Sequence, residues 1–124
     1  MLNVLISYMY SDIYYSGEIA SIYPAIKYIE ENLNTAFSIS DLSKKCAMSD
    51  ATFRRAFSRF MNCSPARYIN SLKIKKAQQM LKIPEMSVNS ICEQLNFYDV
   101  AYFYKVFKKT TGTTPIKFRE NKDG

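Results

Sequence analysis

The chain has 124 residues, 48% of them hydrophobic and eighteen aromatic, against only three glycines. That balance excludes a disordered chain and fits one compact helix-rich domain, or two very small ones sharing an element. The formal charge of +6 is unevenly placed: residues 1–35 hold one base and four acids, a net of −3, while the remainder holds sixteen bases and seven acids, a net of +9. A basic, well-packed region points to a polyanionic partner, most often nucleic acid, with ordinary solubilising surface as the alternative.

Several chemistries are excluded at the same level. There is no histidine, and Cys46, Cys63 and Cys92 are too far apart for a zinc motif. An odd count without close pairs reads as reduced, buried thiols in a cytosolic protein. With no glycine-rich phosphate loop and no nucleophile beside a base, the sequence calls for no metal, no cofactor and no catalytic residue. The opening MLNVLISYMYSDIYY is interrupted by Asp12 and lacks a basic leader, so it fits neither a signal peptide nor a membrane span.

Taken in order, residues 1–17 read as an extra amphipathic helix or the remnant of an upstream domain. Ile22, Ala25, Ile26, Ile29 and Leu33 recur at helical spacing through YPAIKYIEENLN, with Pro24 expected near the start of that support helix. Ser38 and Asp41 form a capping-box pattern opening ISDLSKKC, with Leu42 and Cys46 inward. A turn at Ala47 and Met48 and a fresh cap at Ser49 then start DATFRRAFSRF. Two short helices joined by a tight turn make a helix-turn-helix over residues 18–63.

Residues 64–83 read as a long linker helix. Pro65 fits the first helical position behind a capping Ser64, and Pro84 biases Ile83 away from helix. A wheel puts Ala66, Ile69, Ile74, Ala77, Met80 and Leu81 on one arc, with Lys73 awkwardly among them; its stem could pack while the ammonium reaches water or an acceptor. From Pro65 to Lys82 the rod would span about 27 Å.

The pattern then recurs over residues 84–120. Ser87 caps SVNSICEQL, Asn96 and Phe97 make the turn, and Asp99 caps DVAYFYKVFKKTT. Asn96 suits a left-handed turn residue where glycine is absent. Leu42, Met48, Phe53, Phe57, Asn62 and Pro65 answer to Ile91, Phe97, Phe103, Phe107, Gly112 and Pro115. The offset passes from 49 to 50 residues inside the turn, so the second copy carries one insertion. Thr114 and Pro115 open a last helix, PIKFRE, before a frayed tail at 121–124. The predicted fold is therefore all-α, with two helix-turn-helix subdomains joined by the linker helix, about seven helices in all, plus the N-terminal segment.

In the first unit, Phe53 and Phe57 facing inward leave Ala51, Arg54, Arg55 and Ser58 outward, flanked by Thr52 and Arg59. In the second, Ala101, Tyr104, Lys105 and Lys108 are outward, flanked by Tyr102 and Lys109. A small residue near a helix start with long donors one turn on suits major-groove entry, since the small side chain permits close approach and can touch a thymine methyl. Arg54 and Arg55 can each make two parallel bonds to a guanine edge, whereas Lys105 is a point charge and Tyr104 a hydrogen-bonding or packing group.

Residues from about 22 to 120 resemble the DNA-binding domain of the AraC/XylS family of bacterial transcription regulators. The resemblance is carried by Leu42, Met48-Ser49, Phe53, Arg55, Phe57, Ser64-Pro65, Tyr68-Ile69, Ala77 and Leu81. In the second part it rests on Ile91, Asn96-Phe97, Asp99, Tyr102-Phe103, Lys105, Phe107-Lys108-Lys109, Gly112, Thr114-Pro115 and Arg119. It implies a cytoplasmic, sequence-specific regulator of double-stranded DNA, generally an activator working through RNA polymerase, with an upstream sensing or dimerisation domain in many members and no membrane partner. By position it makes Ala51, Arg54 and Arg55, then Val100, Ala101, Tyr104 and Lys105, the base readers, with Lys44, Thr52, Arg59, Tyr102, Lys108 and Lys109 on the backbone. Cys92, Asn96, Ala101 and Lys105 replace the alanine, glycine, serine and arginine common in the family; because of the last two, the second unit is expected to supply mainly backbone affinity. The rod would hold the reading helices about one duplex turn apart, ~34 Å. The competing reading is a protein-interaction module of the same fold.

Overall fold

The computed structural model describes residues 17–121, so residues 1–16 of the segment expected over 1–17 and the last three residues of the expected tail lie outside the described residues. Among the described residues there are seven helices and no strand: α1 (Gly17–Glu31), α2 (Ile39–Lys45), α3 (Asp50–Met61), α4 (Pro65–Leu81), α5 (Val88–Gln94), α6 (Val100–Thr111) and α7 (Pro115–Glu120). They divide into two compact units, 17–32 with 37–68 and 33–36 with 69–121, the division falling within α4.

Each boundary has a local chemical cause. Side-chain oxygens of Ser38, Ser49, Ser87, Asp99 and Thr114 accept amide protons from the first turns of α2, α3, α5, α6 and α7. Ser64 does the same for Arg67 at 3.1 Å, with Pro65 occupying the first helical position. The Ser38 and Asp41 box is complete: each side chain receives the other's amide, at 3.1 and 2.9 Å. The Ser38 amide, then its side chain, aided by Lys44 and Lys45, hold the Asp41 carboxyl below its usual range.

The turns inside the two units are built alike. After α2, Ala47 donates to the Lys44 carbonyl and Met48 to that of Ser43; after α5, Asn96 donates to Glu93 and Phe97 to Cys92. This paired closure is a Schellman motif, and it requires a left-handed residue, here Ala47 at φ 55° and Asn96 at φ 57°. α3 and α6 also end on a left-handed residue, Asn62 (φ 59°) and Gly112 (φ 87°), but there a single bond closes the helix, from that residue's amide to the carbonyl of Ser58 or Lys108. The inserted residue of the second copy is thereby located. Met48 is followed directly by the capping Ser49, whereas Tyr98 stands between Phe97 and the capping Asp99.

In the first unit Ile22, Ala25, Ile26 and Ile29 of α1 are buried with Leu42, Phe53 and Phe57, while Leu33 lies beyond α1 and is half-buried. Tyr68 packs edge-on against Phe57, and its hydroxyl donates to the Glu30 carboxylate at 3.3 Å. Burial, then the Glu30 charge, pushes that phenol well above its ordinary 10.0. One expectation is corrected here. Pro24 is not near a helix start; α1 runs seven residues ahead of it from Gly17, and Pro24 itself is exposed, where its missing amide costs least.

The core of the second unit gathers Ile74, Ala77 and Leu81 from α4, Ile91, Cys92, Leu95 and Phe97 from α5 and its turn, and Phe103 and Phe107 from α6. Phe118 of α7 packs edge-on against Phe107, with ring centres 5.7 Å apart. Truncating a fully buried ring such as Phe103 or Phe107 to alanine costs roughly 3–5 kcal/mol.

Lys73 is 8% exposed, and its ammonium donates to the Asn96 carbonyl at 3.1 Å while lying 5.3 Å from the Phe97 ring centre. Burial lowers its pKa. Arg119 of α7 donates to the carbonyls of Leu81, Ile83 and Met86, tying off the C-terminal end of α4. The apolar arc expected for α4 holds at Ile74, Ala77 and Leu81, which are buried, and at Ile69 and Met80, which are half-buried; it fails at Ala66, which is exposed, and omits Leu72, which is buried. Of the cysteines only Cys92 is buried; Cys46 and Cys63 are half-buried, and burial raises the Cys46 and Cys92 thiols, leaving them protonated and weakly nucleophilic.

Candidate nucleic-acid interface

In the first unit the outward face of α3 is fixed from its cap. The Ser49 hydroxyl receives the Thr52 amide at 3.2 Å and donates to the Thr52 hydroxyl oxygen at 2.9 Å. Thr52 in turn accepts a long 3.4 Å bond from an Arg55 Nη, so the guanidinium starts from a biased orientation. Ala51, Thr52, Arg54, Arg55 and Arg59 are all exposed, as is Lys44 on α2. Asp50, the first residue of α3, is held at 2.6 Å by the hydroxyl of buried Ser43, which locks the two helices of the unit to one another.

The second unit repeats the plan with other side chains. Asp99 receives the Tyr102 amide at 2.7 Å. The Tyr102 ring lies against Phe97 with centres 6.2 Å apart, and its hydroxyl accepts from the Asn70 amide of α4 at 3.0 Å. Val100, Ala101, Tyr102, Lys105, Lys108 and Lys109 are exposed. Tyr104, expected outward, is half-buried: its ring sits edge-on to Phe103 with centres 6.3 Å apart, because part of it packs on the flank of the core while the rest stays open to solvent.

Two residues of this face were missed by pattern reading. Asn70 has no local signature, since its partner is 32 residues away. Tyr98 is 90% exposed, directly ahead of the α6 cap, and the one-residue insertion was the signal that could have singled it out.

In both units a capped helix follows a tight turn and shows an exposed cationic face, which is the arrangement of a helix-turn-helix nucleic-acid-binding domain. A helix-turn-helix domain family matches residues 42–121. The probable transcription factor PqrA of Proteus vulgaris is 32% identical over 98 residues, covering 77% of this chain and 80% of that protein. The raffinose operon transcriptional regulatory protein RafR of Pediococcus pentosaceus is 30% identical over 97 residues, covering 78% of this chain and 35% of RafR, so the chain spans about a third of that relative. In fold, the DNA-binding domain of the global transcriptional factor AdpA, solved with a target DNA, matches with a TM-score of 0.74 at 22% identity, over 85% of this chain and 92% of that one. The chain belongs to the AraC/XylS family of transcription regulators.

Proposed function

We propose that this protein is a sequence-specific DNA-binding regulator that places α3 and α6 in successive major-groove segments of one duplex and activates transcription through RNA polymerase in the bacterial cytoplasm. The observation that carries the reading is the repetition. The same turn, the same capped start and the same outward positions recur, Ala51, Arg55 and Arg59 answering to Ala101, Lys105 and Lys109. One cationic helix face is ordinary solvated surface; two in equivalent places suit a repeating polyanion. The target DNA bound by the AdpA domain, of the same fold, supports the same class of ligand here.

In this reading Ala51, Arg54 and Arg55 of α3, and Val100, Ala101, Tyr104 and Lys105 of α6, face base edges. Lys44, Thr52, Arg59, Tyr102, Lys108 and Lys109 meet the backbone. At seventeen residues α4 is about 25 Å long. Selection of bound duplexes from a random pool at near-physiological salt tests the proposal. The expected outcome is a site with two half-sites about 10 base pairs apart, bound at least ~10³-fold more tightly than random duplex, with affinity falling steeply as salt rises. A flat, salt-insensitive titration would refute it and favour a protein-interaction module.

A further inference from the structure

The exposed large hydrophobic residues of the described chain are Ile83, Tyr98, Val100, Tyr102 and Ile116, and three of these five fall within five residues at the start of α6. Tyr98 is 90% exposed, Tyr102 40% and Val100 36%. The fold does not demand apolar groups there. At equivalent positions of the first unit Asp50 replaces Val100, Thr52 replaces Tyr102, and nothing answers to Tyr98, yet the turn and cap are the same. Tyr102 is anchored by Phe97 and Asn70, whereas Tyr98 and Val100 project from the very end of the helix.

The charge around this patch restricts what it can meet. Lys105, Lys108 and Lys109 are exposed on the following turns, so the apolar tip is backed by cations, as a groove lined with phosphates requires. The N-terminal residues of a reading helix are the ones that reach base edges. On the major-groove edge only thymine offers an apolar group, its C5 methyl, and small or apolar side chains are its partners. Lysine at 105 lacks the fork needed for two parallel bonds to guanine, which leaves the apolar tip as the selective element.

We infer that the second unit reads thymine methyl groups through Val100, Ala101 and Tyr98, and is the A·T-selective half of the interface, while the first unit reads polar base edges through Arg54 and Arg55. This rests on the DNA-binding reading and goes beyond the expectation that the second unit supplies mainly backbone affinity.

The test uses the full chain and a duplex selected from the random pool, with each thymine replaced in turn by uracil, which removes only the C5 methyl. The half-site of the first unit is marked by the positions at which Arg55→Ala relaxes preference. At one or more thymines of the other half, uracil weakens binding about four-fold, the worth of burying one methyl group. Val100→Ser and Tyr98→Ala each shrink that ratio toward one, and Tyr98, being so exposed, can be truncated without disturbing the fold. Uracil ratios below about two-fold throughout that half, or ratios unchanged in both variants, overturn the inference while leaving DNA binding intact. Failure to select any duplex overturns the DNA-binding reading and the inference together.

Discussion

Arg119→Ala is the perturbation whose cost can be worked most directly from the structure. The guanidinium Nε lies 2.8 Å from the Leu81 carbonyl, one Nη is 3.2 Å from that of Ile83, and the same nitrogen also reaches Met86. These carbonyls belong to the end of α4 and the turn after it, where the helix supplies no further amides; that of Ile83 also takes the Met86 amide, at 3.1 Å. A hydrogen bond from a charged donor contributes about 1.5–3 kcal/mol net. The Ile83 contact is exposed and water replaces it readily, so two part-buried bonds set the cost, about 3 kcal/mol after partial rehydration. For a small domain that lowers the melting midpoint by roughly 10 °C or more. Urea unfolding with residue-resolved amide exchange is the appropriate assay. Protection should fall in α7 and the end of α4 while α1, α2 and α3 keep theirs. Arg119→Lys retains the charge but not the fork, and should recover about a third of the loss, since one ammonium replaces three directed contacts. An unchanged midpoint for the alanine variant, or a lysine variant as stable as the parent, would refute the reasoning.

Ala47→Gly should stabilise the chain by about 0.5–1 kcal/mol, because a left-handed alanine costs more than glycine's extra unfolded-state freedom; Asn96→Gly should gain less, and urea midpoints compare the two. Above pH 10 the units should diverge. Tyr68, raised above its ordinary 10.0, contributes stability that is present below that value and lost as pH climbs toward the folded one, so the first unit weakens and Tyr68→Phe abolishes the loss. Lys73 is lowered from 10.5, so the unfolded chain binds more protons between the folded value and 10.5, and the second unit gains stability as pH rises through that window. Lys73→Met should flatten this rise; pH-dependent amide exchange in α5 and α6 reads it. In DNA binding, Arg55→Ala should cost about 1–3 kcal/mol on the selected site and relax preference at one or two positions. Lys108→Ala should weaken selected and random duplex alike and reduce the salt slope by about one, as titrations at several salt concentrations will show.

What was legible in the sequence was written within a few residues. A serine, threonine or aspartate three positions before an amide, or a proline at the first helical position, fixes a helix start by itself, and the starts of α2, α3, α4, α5, α6 and α7 were all readable in this way. Faces followed from period where one side of a helix is buried, as with Phe53 and Phe57 against Arg54 and Arg55. Where one of those conditions is missing, the sequence carries no local signal. α1 continues through an exposed proline, α4 leaves Ala66 exposed and buries Leu72 off the expected arc, and Ala47 adopts a left-handed conformation that nothing in alanine announces. The ties that hold each turn in place are longer in sequence: Lys73 to Asn96 spans 23 residues, Asn70 to Tyr102 spans 32 and Arg119 to Leu81 spans 38. Only Lys73 left a local trace, as a charge in an apolar setting that needed an acceptor, and the acceptor is the carbonyl of the left-handed turn residue itself. α6 is therefore oriented from α4 as well as from its own cap. Substitutions at Asn70 or Lys73, remote from any base in the proposed complex, should alter how α6 presents Val100 and Lys105 before they alter the helix itself.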